Sequence, residues 1–144
     1  MKLSQLLERL EYTVVQGSDD IEISTLINDS RKVEEGSAFV CISGAVVDGH
    51  TFVEQVAQKG AVAVIVEKDV EAPADLTVIK VDDTRYALAL MSAAYFGYPA
   101  DKLKVIGITG TKGKTTTTYM IRSILEEVGH KVGLIGTIEA IIGD

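Results

Sequence analysis

Val105-Ile106-Gly107-Ile108-Thr109-Gly110-Thr111-Lys112-Gly113-Lys114-Thr115-Thr116-Thr117-Thr118 is the stretch on which the reading of this chain turns. The apolar run from Val105 to Ile108 predicts a buried strand, Gly110 and Gly113 bracket a tight loop, and the amphipathic run from Lys114 to Val128 predicts a helix. Strand, glycine loop and helix in that order leave the first helical N–H groups unpaired, converging where the helix dipole favours negative charge. Glycines admit phosphate oxygens to the backbone without a Cβ clash. Lys114 is placed to reach the outer phosphates and the Thr115 hydroxyl to ligate Mg²⁺. The stretch therefore predicts a nucleoside triphosphate site, with Gly110, Thr111, Lys112, Gly113, Lys114, Thr115 and Thr116 around the phosphates.

Composition bounds the rest. The chain has 144 residues, about one average domain by length. It is 47% hydrophobic and 24% charged, enough to bury a core and unlike a disordered tail. A net charge of −7 argues against nucleic acid as a partner, since such binders carry a basic face. The single cysteine, Cys41, lies in the apolar run Ala38 to Ile42 and is expected in the core; no Cys or His cluster accompanies it as a metal site. The amino terminus lacks a secretory apolar core, and no run approaches the ~18 apolar residues of a membrane span. A reducing cytoplasm is the expected compartment, with no membrane partner.

Leu3, Leu6, Leu7 and Leu10 follow helical spacing and predict a short packing helix. Tyr12 to Val15 and Ile21 to Ile27 predict strands around the turn at Gly17. Asn28 to Val33 is a polar cluster, by periodicity alone a solvated turn. Ser37 to Ile42 predicts a strand, and the loop from Ser43 leads into a helix for which Thr51 and Glu54 match the capping box and Gly60 the C-terminal cap. Ala61 to Val66 is apolar without alternation, as where both faces of a sheet are covered. Leu76 to Val81 is another strand, and Asp82 or Asp83 caps a helix ending near Gly97.

The strict phosphate-loop pattern wants glycine at position 108, where Ile108 stands. What is present is G-x-x-G-T-x-G-K-T: Gly107, Gly110, Thr111, Gly113, Lys114 and Thr115. This variant resembles the ATP loop of the Mur ligases and their folylpolyglutamate synthetase relatives. Upstream, Asp29-Ser30-Arg31, then Gly36, Phe39 and Val40, then Gly44, Asp48, Gly49, His50 and Phe52, and Lys59 to Glu67 closely resemble the amino-terminal domain of a Mur ligase. Together the two sets cover nearly the whole chain.

The resemblance implies an α/β protein: an amino-terminal UDP-substrate-binding domain, placed at residues 1–83, followed by the first strand–P-loop–helix–strand unit of an ATPase domain, residues 84–144. It implies ATP and Mg²⁺ as cofactors, with UDP-MurNAc-L-Ala-D-Glu and a diamino acid as small-molecule substrates joined in peptidoglycan synthesis. ATP would activate the terminal carboxylate as an acyl phosphate, which the amine displaces. Carried over by position, Asn28, Ser30, Ala45, Val46 and Val47 hold the UDP end, Lys114 acts on the transferring phosphoryl group, and Thr115 holds the metal. On the residues alone, Arg31 is open between a ligand contact and an ion pair with Asp29 or Asp48. His50 is open between capping, packing and ligand contact. Lys112, where the family more often has Asn, is open between phosphate and solvent.

The family's later Mg²⁺ ligands, carbamylated lysine and third domain do not fit after Thr118. The expectation is a ligase fragment, inactive alone, whose residues 104–144 form a two-stranded parallel piece that is poorly ordered or packed on a second copy. The alternatives are another Mur ligase or a folylpolyglutamate-synthetase-like enzyme, a P-loop kinase or other NTPase, and a non-catalytic UDP-sugar-binding module. A kinase leaves residues 1–83 unexplained.

Overall fold

Runs of valine, isoleucine and alanine without polar alternation are expected of strands buried on both faces, and the computed structural model, which describes residues 1–142, shows this arrangement. Strands β1 (Thr13–Gln16), β2 (Thr25–Ile27), β3 (Ser37–Val40), β4 (Ala63–Val66) and β5 (Thr77–Lys80) form one sheet in the order β1-β5-β4-β3-β2. β2, β3, β4 and β5 are parallel; β1 closes the edge antiparallel to β5, with Thr13 opposite Lys80.

The period of two then distributes side chains between two cores. Ala38 and Val40 of β3, Ala63 and Ile65 of β4, and Ile79 of β5 point to one face, where they meet Leu3, Leu6 and Leu7 and Ala87, Met91 and Ala94. These come from α1 (Leu3–Leu6) and its exit, and from α3 (Thr84–Tyr95). Phe39, Cys41, Val64, Val66 and Val78 point to the other face, against Val53 and Val56 of α2 (Val53–Gln58). Burial pushes the Cys41 thiol up to about 12, so it is an inert core group.

Several local expectations change. The first helix is a single turn, although Leu7 is fully buried and Leu10 packs on the core as its spacing predicts. The Thr51/Glu54 capping box does not form. A 3-10 turn (Gly49–Phe52) precedes α2, and Asp48 caps that turn by accepting the His50 amide. Thr51 instead donates its hydroxyl to the Asp48 carbonyl at 2.7 Å. Gly60 does close α2, in the left-handed region, and Asp83 caps α3 by accepting the amides of Arg85 and Tyr86.

The chain falls into two compact units, Met1–Leu103 and Lys104–Asp144. They divide beyond Asp83, because α3 buries Ala87, Met91 and Ala94 in the same core as α1 and so stays with the sheet. In the second unit α4 (Lys114–Glu127) follows the glycine loop as expected. Val105 to Ile108, however, forms no strand, and Val105 is 73% exposed: among the described residues it has no ladder partner. Nor do the described residues of this unit form a parallel pair. β6 (Leu134–Ile135) pairs antiparallel with β7 (Ala140–Ile141). No residue of α4 is buried, and the apolar Ile124, with Val128 just past the helix end, is exposed.

Candidate functional site

In an open sheet, ligands bind in the crevice outside the carboxyl ends of the parallel strands. Two segments predicted from sequence stand there side by side: the turn after β2, holding Asn28 and Ser30, and the loop after β3, holding Ala45, Val46 and Val47.

The turn is tied from beneath by Lys59, whose ammonium donates to the Ser30 carbonyl at 2.7 Å. The Asp29 carboxylate accepts two guanidinium N–H groups of Arg31, at 2.8 and 2.9 Å, and the Arg31 amide at 3.0 Å. These bonds hold the Asp29 carboxyl well below the usual carboxylate range. The open question about Arg31 is thereby answered: its partner is Asp29. With its side chain 87% exposed, the pair adds little to stability and orders the turn locally. Among the described residues the Ser30 hydroxyl and the Asn28 amide enter no hydrogen bond, leaving both able to meet a ligand.

The loop from Ser43 to Asp48 is closed at its base. Gly44 N–H donates to the Val47 carbonyl and Gly49 N–H to the Ile42 carbonyl, both at 2.9 Å. At Gly49 the backbones come so close that a Cβ would meet the Ile42 nitrogen at 2.7 Å, so only glycine fits. Beyond that base Ala45, Val46 and Val47 are exposed, Val46 at 96%. Their amides have no acceptor among the described residues, which makes the loop tip a set of free donors for anionic oxygens.

Beneath the loop lies a polar network. Glu67, one residue past β4, accepts the Ser43 hydroxyl on Oε1 at 2.6 Å; on Oε2 it accepts the Thr84 amide at 3.1 Å and hydroxyl at 2.8 Å. The Ser43 bond first, then the two from Thr84, hold its pKa down at about 2. Its own amide donates to His50 Nε2 at 3.2 Å, so the ring proton resides on Nδ1, which donates to Asp48 Oδ1 at 2.6 Å. Asp48 also takes the Lys68 ammonium; that bond, and then His50, keep its carboxyl far below the usual range. Arg85 donates to the Ser43 carbonyl at 2.9 Å. His50 is buried and its Nε2 is capped by a backbone amide, so it is no catalytic base. Lys59 and Glu67 bound the stretch that carries the family resemblance, but no pattern in the sequence assigned either of them a role.

The second locus is the glycine loop. Gly113, at φ 77°, caps α4 in the left-handed region, and the Thr117 amide makes the first helical bond, to the Gly113 carbonyl at 2.9 Å. The amides of Lys114, Thr115 and Thr116 are thus free at the positive end of the helix dipole. Lys114 Nζ folds back onto the Gly110 carbonyl at 2.6 Å, which sets its ammonium across the loop. Lys114, Thr115, Thr118, Tyr119, Thr137 and Glu139 help to line a cleft of about 180 Å³, with the Tyr119 hydroxyl bonded to Glu139. Gly110, Thr111, Lys112, Gly113 and Thr116 are exposed around it, and Lys112 makes no ion pair among the described residues. Free amides, a lysine and a hydroxyl fit a phosphate chain. Among the described residues no group of three acidic, His or Cys side chains is gathered to hold a metal. Thr115 suits Mg²⁺ as one oxygen donor beside phosphate oxygens and waters.

Two family models match the chain: one described as Mur ligase family, catalytic domain, over residues 22–96, and one described as Mur ligase middle domain, over residues 108–143. Across all 144 residues the sequence is 52% identical to the UDP-N-acetylmuramoyl-L-alanyl-D-glutamate–2,6-diaminopimelate ligase of Clostridium perfringens (strain 13 / Type A). MurF from Acinetobacter baumannii is similar in structure, with a TM-score of 0.63 and 36% identity over 89% of this chain and 28% of that one. MurF ligase from Thermotoga maritima in complex with ADP gives a TM-score of 0.52 and 28% identity over 72% of this chain and 23% of that one. The chain spans about 30% of the length of the curated relatives it matches. No helix among the described residues is long and apolar enough to cross a membrane.

Proposed function

The chain belongs to the Mur ligase family, and from that premise we propose that it carries the UDP-substrate loops and the ATP loop of a ligase that extends UDP-MurNAc-L-Ala-D-Glu with a diamino acid. The relatives' names support 2,6-diaminopimelate as that amino acid. The observation that carries the reading is the glycine loop: three free first-turn amides stand at the start of α4, and Lys114 and Thr115 line one cleft beside them, a set that suits phosphoryl transfer, in a chain whose other loops suit a nucleotide sugar.

In this mechanism Ser30 and Asn28 hydrogen-bond the uridine end, and the amides of Ala45, Val46 and Val47 take oxygens of its diphosphate. The amides from Gly110 to Thr116 cradle the phosphates of ATP. Lys114, released from the Gly110 carbonyl, follows the phosphoryl group as it moves to the terminal carboxylate of the substrate. Charge builds on the transferring oxygens, and a lysine that moves onto them stabilises that state more than the ground state. Thr115 offers its hydroxyl to Mg²⁺, which when bound neutralises phosphate charge. The acyl phosphate is then attacked by the amine, with loss of phosphate. No side chain acts as a nucleophile; positioning and electrostatics do the work. The cytoplasm, where ATP is supplied, is the compartment we assign.

Calorimetric titration of the chain with UDP-MurNAc-L-Ala-D-Glu, UDP and Mg²⁺–ATP tests this. Heat of binding from both UDP compounds is expected. ATP binding with no response to either UDP compound would reject the substrate assignment and favour an unrelated P-loop protein.

A further inference from the structure

Asp48 and His50, at the exit of the loop after β3, meet Glu67 from the end of β4 under that loop, and the substrate reading leaves all three without a role. His50 joins the exit of that loop to the end of β4: Nδ1 donates to Asp48 and Nε2 accepts the Glu67 amide. Glu67 joins the loop's entrance to α3, taking the Ser43 hydroxyl on one oxygen and both donors of Thr84 on the other. Both ends of the loop are therefore fastened to the carboxyl edge of the sheet. Between them only small or apolar residues project, and these have no side-chain bonds to hold them in place.

A loop whose exposed amides are to meet an anion must be held before the anion arrives, or ordering it costs affinity. We propose that Asp48, His50 and Glu67 are positioning residues that hold the Ser43–Asp48 loop so that its tip amides present to the diphosphate. The ligand part of this statement rests on the substrate reading above; the holding of the loop does not. His50 is suited to the task because it is buried and spans two acceptor–donor demands at once, whereas a lysine or arginine there would have no acceptor for the Glu67 amide. Lys68 neutralises the outer oxygen of Asp48 and leaves the inner one to the ring.

The test uses the 144-residue chain with His50→Phe, which keeps a ring and removes both nitrogens, and His50→Gln, which keeps an acceptor for the Glu67 amide. Amide hydrogen exchange reads the loop directly. In His50→Phe the Gly44 and Gly49 amides are expected to lose protection by about tenfold or more, while Val64 and Ile65 in β4 keep theirs; His50→Gln recovers part of the loss. UDP affinity, measured by titration, is expected to fall by about tenfold in His50→Phe with Mg²⁺–ATP affinity unchanged. Unchanged protection of Gly44 and Gly49 overturns the proposal, as does a loss shared equally by β4, which marks general unfolding. Should His50→Phe not fold, Glu67→Gln serves the same measurements, since the carboxamide has a single accepting oxygen and cannot serve Ser43 and Thr84 together. If the unaltered chain does not bind UDP, the substrate reading fails, and the exchange data still decide whether the network holds the loop.

Discussion

Glu67 and Thr84 meet through two bonds on one carboxylate oxygen, the Thr84 amide at 3.1 Å and its hydroxyl at 2.8 Å, which ties the end of β4 to the first turn of α3. The other oxygen belongs to Ser43. A strand end, a loop and a helix start thus share one charge, and protonating it loosens all three.

That arrangement predicts an acid-labile contribution to stability. The folded-state pKa of Glu67 is depressed from its ordinary 4.5 to about 2. Its stabilisation is fully present above pH 4.5 and is lost as pH falls towards 2. Urea midpoints measured across that window are expected to fall less steeply in Glu67→Gln than in the unaltered chain. Parallel curves for the two proteins would show that the carboxylate contributes nothing there.

Val46 is 96% exposed and supports no packing. Val46→Asp is therefore expected to leave stability within about 0.5 kcal/mol. The same substitution puts a negative charge beside the proposed diphosphate site and is expected to weaken UDP binding by about tenfold or more. Undiminished UDP affinity in this variant would move the ligand away from the loop.

Lys114→Ala is expected to weaken Mg²⁺–ATP binding by about tenfold to a hundredfold, the range of a lost charge-assisted hydrogen bond. UDP affinity should not change, because Ser30 and Val46 belong to the other compact unit. Titrating both ligands against one preparation checks the two statements together.

Phe39 is 1% exposed between β3 and α2, whereas Phe96 is 74% exposed beyond the end of α3. Phe39→Ala is expected to cost about 3–5 kcal/mol and Phe96→Ala less than about 0.5 kcal/mol. Thermal melts of the two variants give the comparison. Equal melting temperatures would contradict the assignment of Phe39 to the core.

Much of the first unit was legible in its residues because its rules are local or periodic. Ala38 to Cys41 and Ala63 to Val66 show no polar alternation, and both faces of these strands are covered. Asp83 caps α3 and Gly60 closes α2 by bonds within a few residues. The glycine loop was legible for the same reason, since its free amides follow from Gly113 standing directly before the first turn of α4. Thr51 misled, because a capping pattern of the right spacing competes with Asp48, which reaches the His50 amide first. Val105 to Ile108 misled differently: its composition suits a strand, but a strand exists only with a partner, and none pairs with it among the described residues.

The sequence by itself determined the apolar pattern of the sheet and the glycine loop that opens α4, because each is written in neighbouring residues; the candidate nucleotide-sugar loops came from the family resemblance alone. Tertiary structure alone decided that Arg31 spends itself on Asp29, that His50 is a tautomer-locked link and not a base, and that Glu67 is the hub beneath the loop. It also assigned α3 to the first unit. Those outcomes depend on which of several available partners lies within hydrogen-bond reach once the chain has folded, and spacing along a chain does not specify that distance.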